Sequence, residues 1–223
     1  MSEKEKLILG LDEAARGPII GSLFIVGALF EEKDLEKLKS LGVKDSKLLT
    51  HKRRVELAKK IKKIAKKIKI IQIKPDEIDL AIDGDNSLNL NWLEAHKTAE
   101  IINELKPDRA VIDCPSPNIN AYKSYLRELL KNKDTELIVE HKADVNFLEC
   151  SSAGIIAKVY REEEIAKIKK LVGDHMGSGY MSDPRTKEFF EENFENHPDI
   201  FRKSWTPYKK AMNGKNQAKL NDF

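Results

Sequence analysis

Two long apolar runs open the chain. Leu7, Ile8, Leu9 and Leu11 form the first, and Ile19 to Phe30 form the second, with Ala15-Arg16-Gly17-Pro18 between them. Runs this apolar at consecutive positions predict strands buried on both faces and adjacent in one sheet. The period then changes. Val55, Ala58, Ile61, Ala65 and Ile68, with Leu57 and Ile64 beside them, recur at helical spacing, and Thr50 is placed to cap that helix. Further on, the pattern predicts a strand over Ile68 to Ile73, a short helix from Pro75-Asp76-Glu77, and a longer helix holding Trp92, Leu93, Ile101, Ile102 and Leu105. A short strand R-A-V-I-D, a Leu- and Lys-rich helix, and a strand in T-E-L-I-V-E-H-K-A-D complete the alternation. Strands alternating with helices indicate an α/β fold around one sheet.

Carboxylates interrupt this pattern at suggestive places. The first run ends in Asp12-Glu13, the R-A-V-I-D strand in Asp113, and the T-E-L-I-V-E strand runs out into His141, Lys142 and Asp144. A strand that simply reaches water would account for one such pair, but three strands ending this way predict a cluster, because ligands in open α/β sheets gather at strand ends. Asp12, Glu13, Asp113 and Asp144 without Cys or His ligands make a hard oxygen site for magnesium or manganese. Two ions held there would suit in-line phosphoryl displacement. Neighbouring side chains of a strand point to opposite faces, so Asp12 and Glu13 could share the site only if the strand twists or bulges.

Other chemistries find less support. Ser151 and Ser152 lack a nucleophile elbow, the five histidines lack zinc spacing, and no P-loop or dinucleotide fingerprint occurs. Asp83 to Ser87 imitates the start of a calcium loop, with Glu94 at the twelfth position, but Leu88 stands at the sixth, where the turn requires Gly.

The 223 residues suffice for one substantial core, with one catalytic domain expected over residues 1–213 and a tail over 214–223. Lys and Arg number 40 against 37 Asp and Glu, a net charge of +3 that names no partner. Residues 51–69, however, carry ten Lys or Arg and one acidic residue, Glu56. That face is either simply solvated or attracts a phosphate backbone. Two cysteines, with no signal peptide and no apolar run long enough to span a membrane, suggest a reduced, cytoplasmic protein.

D-E-A-A-R-G-P, K-D-S-K-L-L-T, L-N-L-N-W-L-E, V-I-D, E-H-K-A-D, I-I-A-K-V-Y-R and G-S-G-Y-M-S-D-P-R-T follow one another in an order and spacing that resembles ribonuclease HII, the type 2 ribonuclease H, in its archaeal form. The resemblance runs from about Leu9 to Trp205. It implies a ribonuclease H-like fold, a mixed central sheet flanked by helices with a helical C-terminal appendage. It also implies a metal-dependent endonuclease that cleaves RNA in RNA/DNA hybrids and incises on the 5′ side of single ribonucleotides in duplex DNA, leaving 3′-hydroxyl and 5′-phosphate ends. By position, Asp12, Glu13, Asp113 and Asp144 match the family's metal ligands. Arg16 and Gly17 match the element that reads the ribose 2′-hydroxyl, Lys47 a phosphate contact, and Tyr180 the tyrosine that stacks beneath the neighbouring sugar.

Several positions depart from the family pattern. Ala15 replaces the first Gly of G-R-G, where a positive φ would cost more. Gly154 replaces the usual Ser, Asn146-Phe147-Leu148 the common Lys-Tyr-Pro, and Met181 the usual Pro. Gln217, Leu220 and Phe223 have the spacing of peptides that bind the sliding clamp, PCNA, as archaeal members do. A monomer that needs no membrane is expected. The rival readings are a catalytically idle hybrid-binding module and the catalytic subunit of a larger assembly.

Overall fold

The computed structural model describes residues 5–43, 49–84 and 88–221, with side chains described through Gly214. The chain forms two compact units, one from Met1–Ala14, Phe24–Gln72 and Asn91–Arg161, the other from Ala15–Leu23, Ile73–Leu90 and Glu162–Phe223.

The first unit is built on a five-stranded sheet. β1 (Leu7–Ala14) lies in the middle, antiparallel to β2 (Leu23–Glu31) and parallel to β4 (Arg109–Asp113), which is parallel to β5 (Glu136–Glu140). β3 (Lys67–Ile73) forms one edge and β5 the other, in the order β3-β2-β1-β4-β5. The central place of β1 explains its apolar character, since helices must cover both of its faces. The second strand starts later than the apolar run predicts. Ile19 and Ile20 belong to a loop, where Ile20 forms a single bridge with Phe201 in the second unit.

One face of the sheet packs Val26, Ala28 and Phe30 against Leu57, Ala58 and Ile61 of α2 (His51–Ile64) and Ala153, Ile156 and Ala157 of α7 (Leu148–Val172). Thr50 caps α2 as its position predicts, its hydroxyl accepting from the Arg53 amide at 3.3 Å. The helix is shorter than its basic run. Ala65 turns extended at φ −63°, ψ 138°, which leaves Ile68 to β3. α4 (Leu90–Leu105) covers the other face, where Ile101 leaves no room for a side chain at Gly27.

Gly10 is the tightest point of the sheet. A Cβ there would lie 2.1 Å from the Glu149 carbonyl at the start of α7, and backbone cannot rotate away. Gly10→Ala is therefore expected to destabilise the protein by about 3 kcal/mol, the upper part of the overpacking range, read as a lower urea midpoint at unchanged m-value. A midpoint equal to the parent's would mean that α7 does not press on β1.

In the second unit, which also holds α3 (Pro75–Asp83), an aromatic core of Phe189, Phe190, Phe194, Phe201 and Tyr208 with Ile19 and Ile20 is supplied by α8 (Pro184–Asn193), α9 (Thr206–Asn221), the segment between them and the loop 15–22. Among the described residues, no helix is long and apolar enough to cross a membrane.

Candidate active site

β1 does not end at its carboxylates. Its register runs unbroken through Asp12↔Val26, Glu13↔Ile25 and Ala14↔Phe24, so no bulge re-aims either side chain and the two point to opposite faces. Asp12 faces α7, beside Gly154 and Lys158. Glu13 lines a small cleft with Glu94, Thr98 and Tyr122, which Asp12 and Asp113 also border.

Asp113 ends β4 as predicted, whereas Asp144 is not at a strand end. β5 stops at Glu140, Lys142 takes φ +60°, and Asp144 lies in the first turn of α6 (Ala143–Asn146). The Ala143 amide donates to Asp113 Oδ1 at 3.1 Å, so the carboxylate of β4 tethers the turn that carries Asp144. The fold thus brings together Asp12, Asp113 and Asp144, each with a carboxylate oxygen within 4.8 Å of the others. Glu13 is not in this group.

Electrostatics mark the same place. Burial pushes the Asp12 carboxyl up to about 7, with Asp113 and Asp144 adding to the rise, while Lys158 and the Glu13 amide, which donates to Asp12 Oδ1 at 2.8 Å, oppose it. Negative charge gathered where water cannot screen it needs a cation, and three oxygen donors are the set a hard divalent ion takes. The residues present fit such an ion. Cys150 and Cys114 add no ligand charge, since burial raises both thiols. His141 is exposed, with Nδ1 3.3 Å from the Cys114 carbonyl, and Ser152 bonds its own helix at Leu148 O.

Gly154 has a local reason to lack a side chain. A Cβ there would meet Asp12 Oδ2 at 2.0 Å. Lys158, one helical turn on, brings a positive charge to the same carboxylate. The helical spacing of 154 and 158 carried that signal, but only the placement of α7 ties it to Asp12.

In the second unit, Ala15 adopts φ +66°, the left-handed conformation suggested by its alignment with a Gly, at a cost of about 1 kcal/mol. The ring of Tyr180, 37% exposed, lies 3.7 Å from where a Cβ on Gly17 would stand. Gly179 carries Tyr180 to this place, its carbonyl accepting from Ile19 N at 2.9 Å and its amide donating to Thr186 Oγ1 at 2.9 Å. Lys47 lies outside the described residues, as does Phe223. The backbones of Gln217 and Leu220 belong to α9, while their side chains are outside the described set.

Comparison with known proteins agrees with the fold. The family model for Ribonuclease HII matches residues 9–208. Ribonuclease HII of Pyrococcus furiosus is 41% identical over 96% of both chains, and that of Methanococcus maripaludis is 40% identical over 96% of this chain and 91% of its own. The crystal structure of ribonuclease H2 from Pyrococcus horikoshii superposes with a TM-score of 0.82 at 39% identity, covering 92% of this chain and 96% of its own. A ribonuclease HII from Archaeoglobus fulgidus, solved in complex with PCNA, gives 0.81 at 36% identity with the same coverage. A mixed sheet with three clustered aspartates, a family match over most of the length, and relatives near 40% identity place the chain in the ribonuclease HII family, as a metal-dependent endonuclease with ribonuclease H activity on RNA/DNA hybrids.

Proposed function

We propose that the enzyme also incises duplex DNA on the 5′ side of a single embedded ribonucleotide, by a two-metal-ion mechanism that leaves 3′-hydroxyl and 5′-phosphate ends. The observation that carries this reading is the convergence of Asp12, Asp113 and Asp144 within 4.8 Å. Magnesium or manganese held by these carboxylates, with Glu13 as a further ligand reaching in from the cleft that it lines with Asp12 and Asp113, would supply activation of water and stabilisation of the leaving oxygen. Asp12 binds in its deprotonated form, and Asp113 holds the Asp144 turn in place through the Ala143 amide.

Substrate choice falls to the loop Ala15-Arg16-Gly17 and to Tyr180. The 2′-hydroxyl is what separates RNA from DNA at a given site, and loop amides beside an exposed aromatic ring suit a sugar and its phosphate. Lys47 supplies a phosphate contact, and the exposed basic side chains of α2 attract the backbone. Residues 1–213 form the catalytic domain of a cytoplasmic monomer, and 214–223 a tail through which Gln217, Leu220 and Phe223 bind the sliding clamp. The PCNA complex of the Archaeoglobus fulgidus relative supports that last role.

The test is cleavage of duplex DNA containing one ribonucleotide, with magnesium, with manganese and with chelator. Incision immediately 5′ to the ribonucleotide, abolished by chelator, is expected. Cleavage confined to long hybrids would overturn the single-ribonucleotide reading and implicate Ala15.

A further inference from the structure

We infer that Arg202 is a positioning residue for ribose recognition: a buried guanidinium that clamps the loop Ala15–Gly21 and aims the Arg16 and Gly17 amides at the substrate. The inference rests on the reading of that loop as the reader of the 2′-hydroxyl.

Arg202 is fully buried, which is rare for an arginine and requires its donors to be satisfied. Three main-chain carbonyls of one loop do so. Nη2 donates to Ala15 O at 2.6 Å, Nη1 to Arg16 O at 2.8 Å and Nε to Gly21 O at 2.9 Å. The Arg202 amide donates to Ile19 O at 2.9 Å, and its guanidinium carbon lies 4.8 Å from the Trp205 ring centroid, whose Nε1 donates to Gly17 O at 3.3 Å. Carbonyls of residues 15, 16, 17, 19 and 21 are thus drawn to one strap of chain.

The consequence follows from peptide geometry. In a planar trans peptide the carbonyl of one residue is antiparallel to the amide of the next. Holding Ala15 O and Arg16 O against the guanidinium turns the Arg16 and Gly17 amides away from it, the direction of half-buried Arg16 and exposed Gly17. The clamp also engages both sides of the strained residue. Ala15, at φ +66°, would relax toward negative φ if its carbonyl were released, and that relaxation would rotate the Arg16 amide. A fixed fork of donors satisfies three carbonyls at once, and a lysine ammonium on a flexible stem does not hold them in that geometry.

The test compares Arg202→Lys with Arg202→Lys/Ala15→Gly, assayed on duplex DNA with a single ribonucleotide and on a long RNA/DNA hybrid, with melting curves for each. Arg202→Lys is expected to lose about 100-fold in kcat/KM on the single ribonucleotide, the scale of a displacement of about 1 Å, mostly through a higher KM. Ala15→Gly, which takes positive φ at little steric cost, is expected to recover at least about tenfold of that loss. A structural defect alone would lower kcat through a smaller folded fraction and would respond to neither the substrate nor the glycine. A folded Arg202→Lys enzyme with parental KM, or a double variant no better than the single, overturns the inference. If Arg202→Lys does not fold, Trp205→Phe removes the Gly17 O donor while keeping an aromatic ring beside the guanidinium and must raise KM on the same substrate, and an unchanged KM overturns the inference. Should the parent itself ignore the single ribonucleotide, the reading of the loop's substrate fails, whereas a competent parent with an unaffected Arg202→Lys refutes the clamp alone.

Discussion

Asp113→Asn is expected to reduce cleavage of an RNA/DNA hybrid by about a thousandfold while leaving the fold in place. Loss of one carboxylate from a divalent-cation site forfeits several kcal/mol of transition-state stabilisation, and each 1.36 kcal/mol is a factor of ten in rate. The substitution isolates charge from geometry. Asn keeps an oxygen where Asp113 Oδ1 accepts from the Ala143 amide at 3.1 Å, so the turn holding Asp144 stays tethered. It also removes one of the charges that hold the Asp12 carboxyl high, so Asp12 should titrate lower in the variant. Single-turnover cleavage in saturating magnesium, with a melting curve as control, reads the effect. Parental rates from Asp113→Asn would show that the aspartate cluster is not where the chemistry occurs.

Divalent-cation binding should be strongly pH-dependent, tightening as pH rises and levelling off above about 7. Asp12 must lose its proton to become a ligand, and burial, with Asp113 and Asp144 adding to it, holds that proton up to about 7 in the folded, metal-free protein. Below that value each pH unit should cost about tenfold in affinity through this residue, and titration calorimetry should detect up to one proton released per site. The metal-free protein should show the opposite trend in stability. Its Asp12 binds a proton between the unfolded value of 3.8 and the folded value of about 7, where the unfolded chain has released it. Stability from this group is therefore complete below about pH 4, falls as pH rises to about 7 at a limiting slope of about 1.4 kcal/mol per unit, and is flat above. Added magnesium should reverse that trend by binding the deprotonated carboxylate. Melting in chelator and in magnesium from pH 5 to 8 checks both, and parallel curves would mean that Asp12 does not meet the ion.

The local patterns were readable because each depends on near neighbours. Continuous burial of β1 and β4 left apolar runs, α2 left a 3.6-residue period behind a Thr cap, and the motifs from Asp12 to Tyr180 identified the family by their order. Asp113 could be placed because it directly ends an apolar strand. Asp144 could not, because a four-residue helix is too short to show a period, and the turn before it depends on Lys142 at φ +60°.

Burial, not composition, decided the remaining assignments. In sequence Arg202 is one more cation near the end of a charged chain, yet its carbonyl partners lie up to 187 residues away, and no local pattern encodes that separation. Gly154 and Lys158 acquire meaning only when α7 lies against β1, and Gly10 only because the Glu149 backbone touches it. Residue chemistry and spacing along the chain were enough to specify the family, the strands and the candidate ligands. The division of Asp12 from Glu13 between two faces of the sheet, the rise of the Asp12 carboxyl, and the clamp on Ala15 came from packing, because each depends on which groups distant in sequence exclude water together.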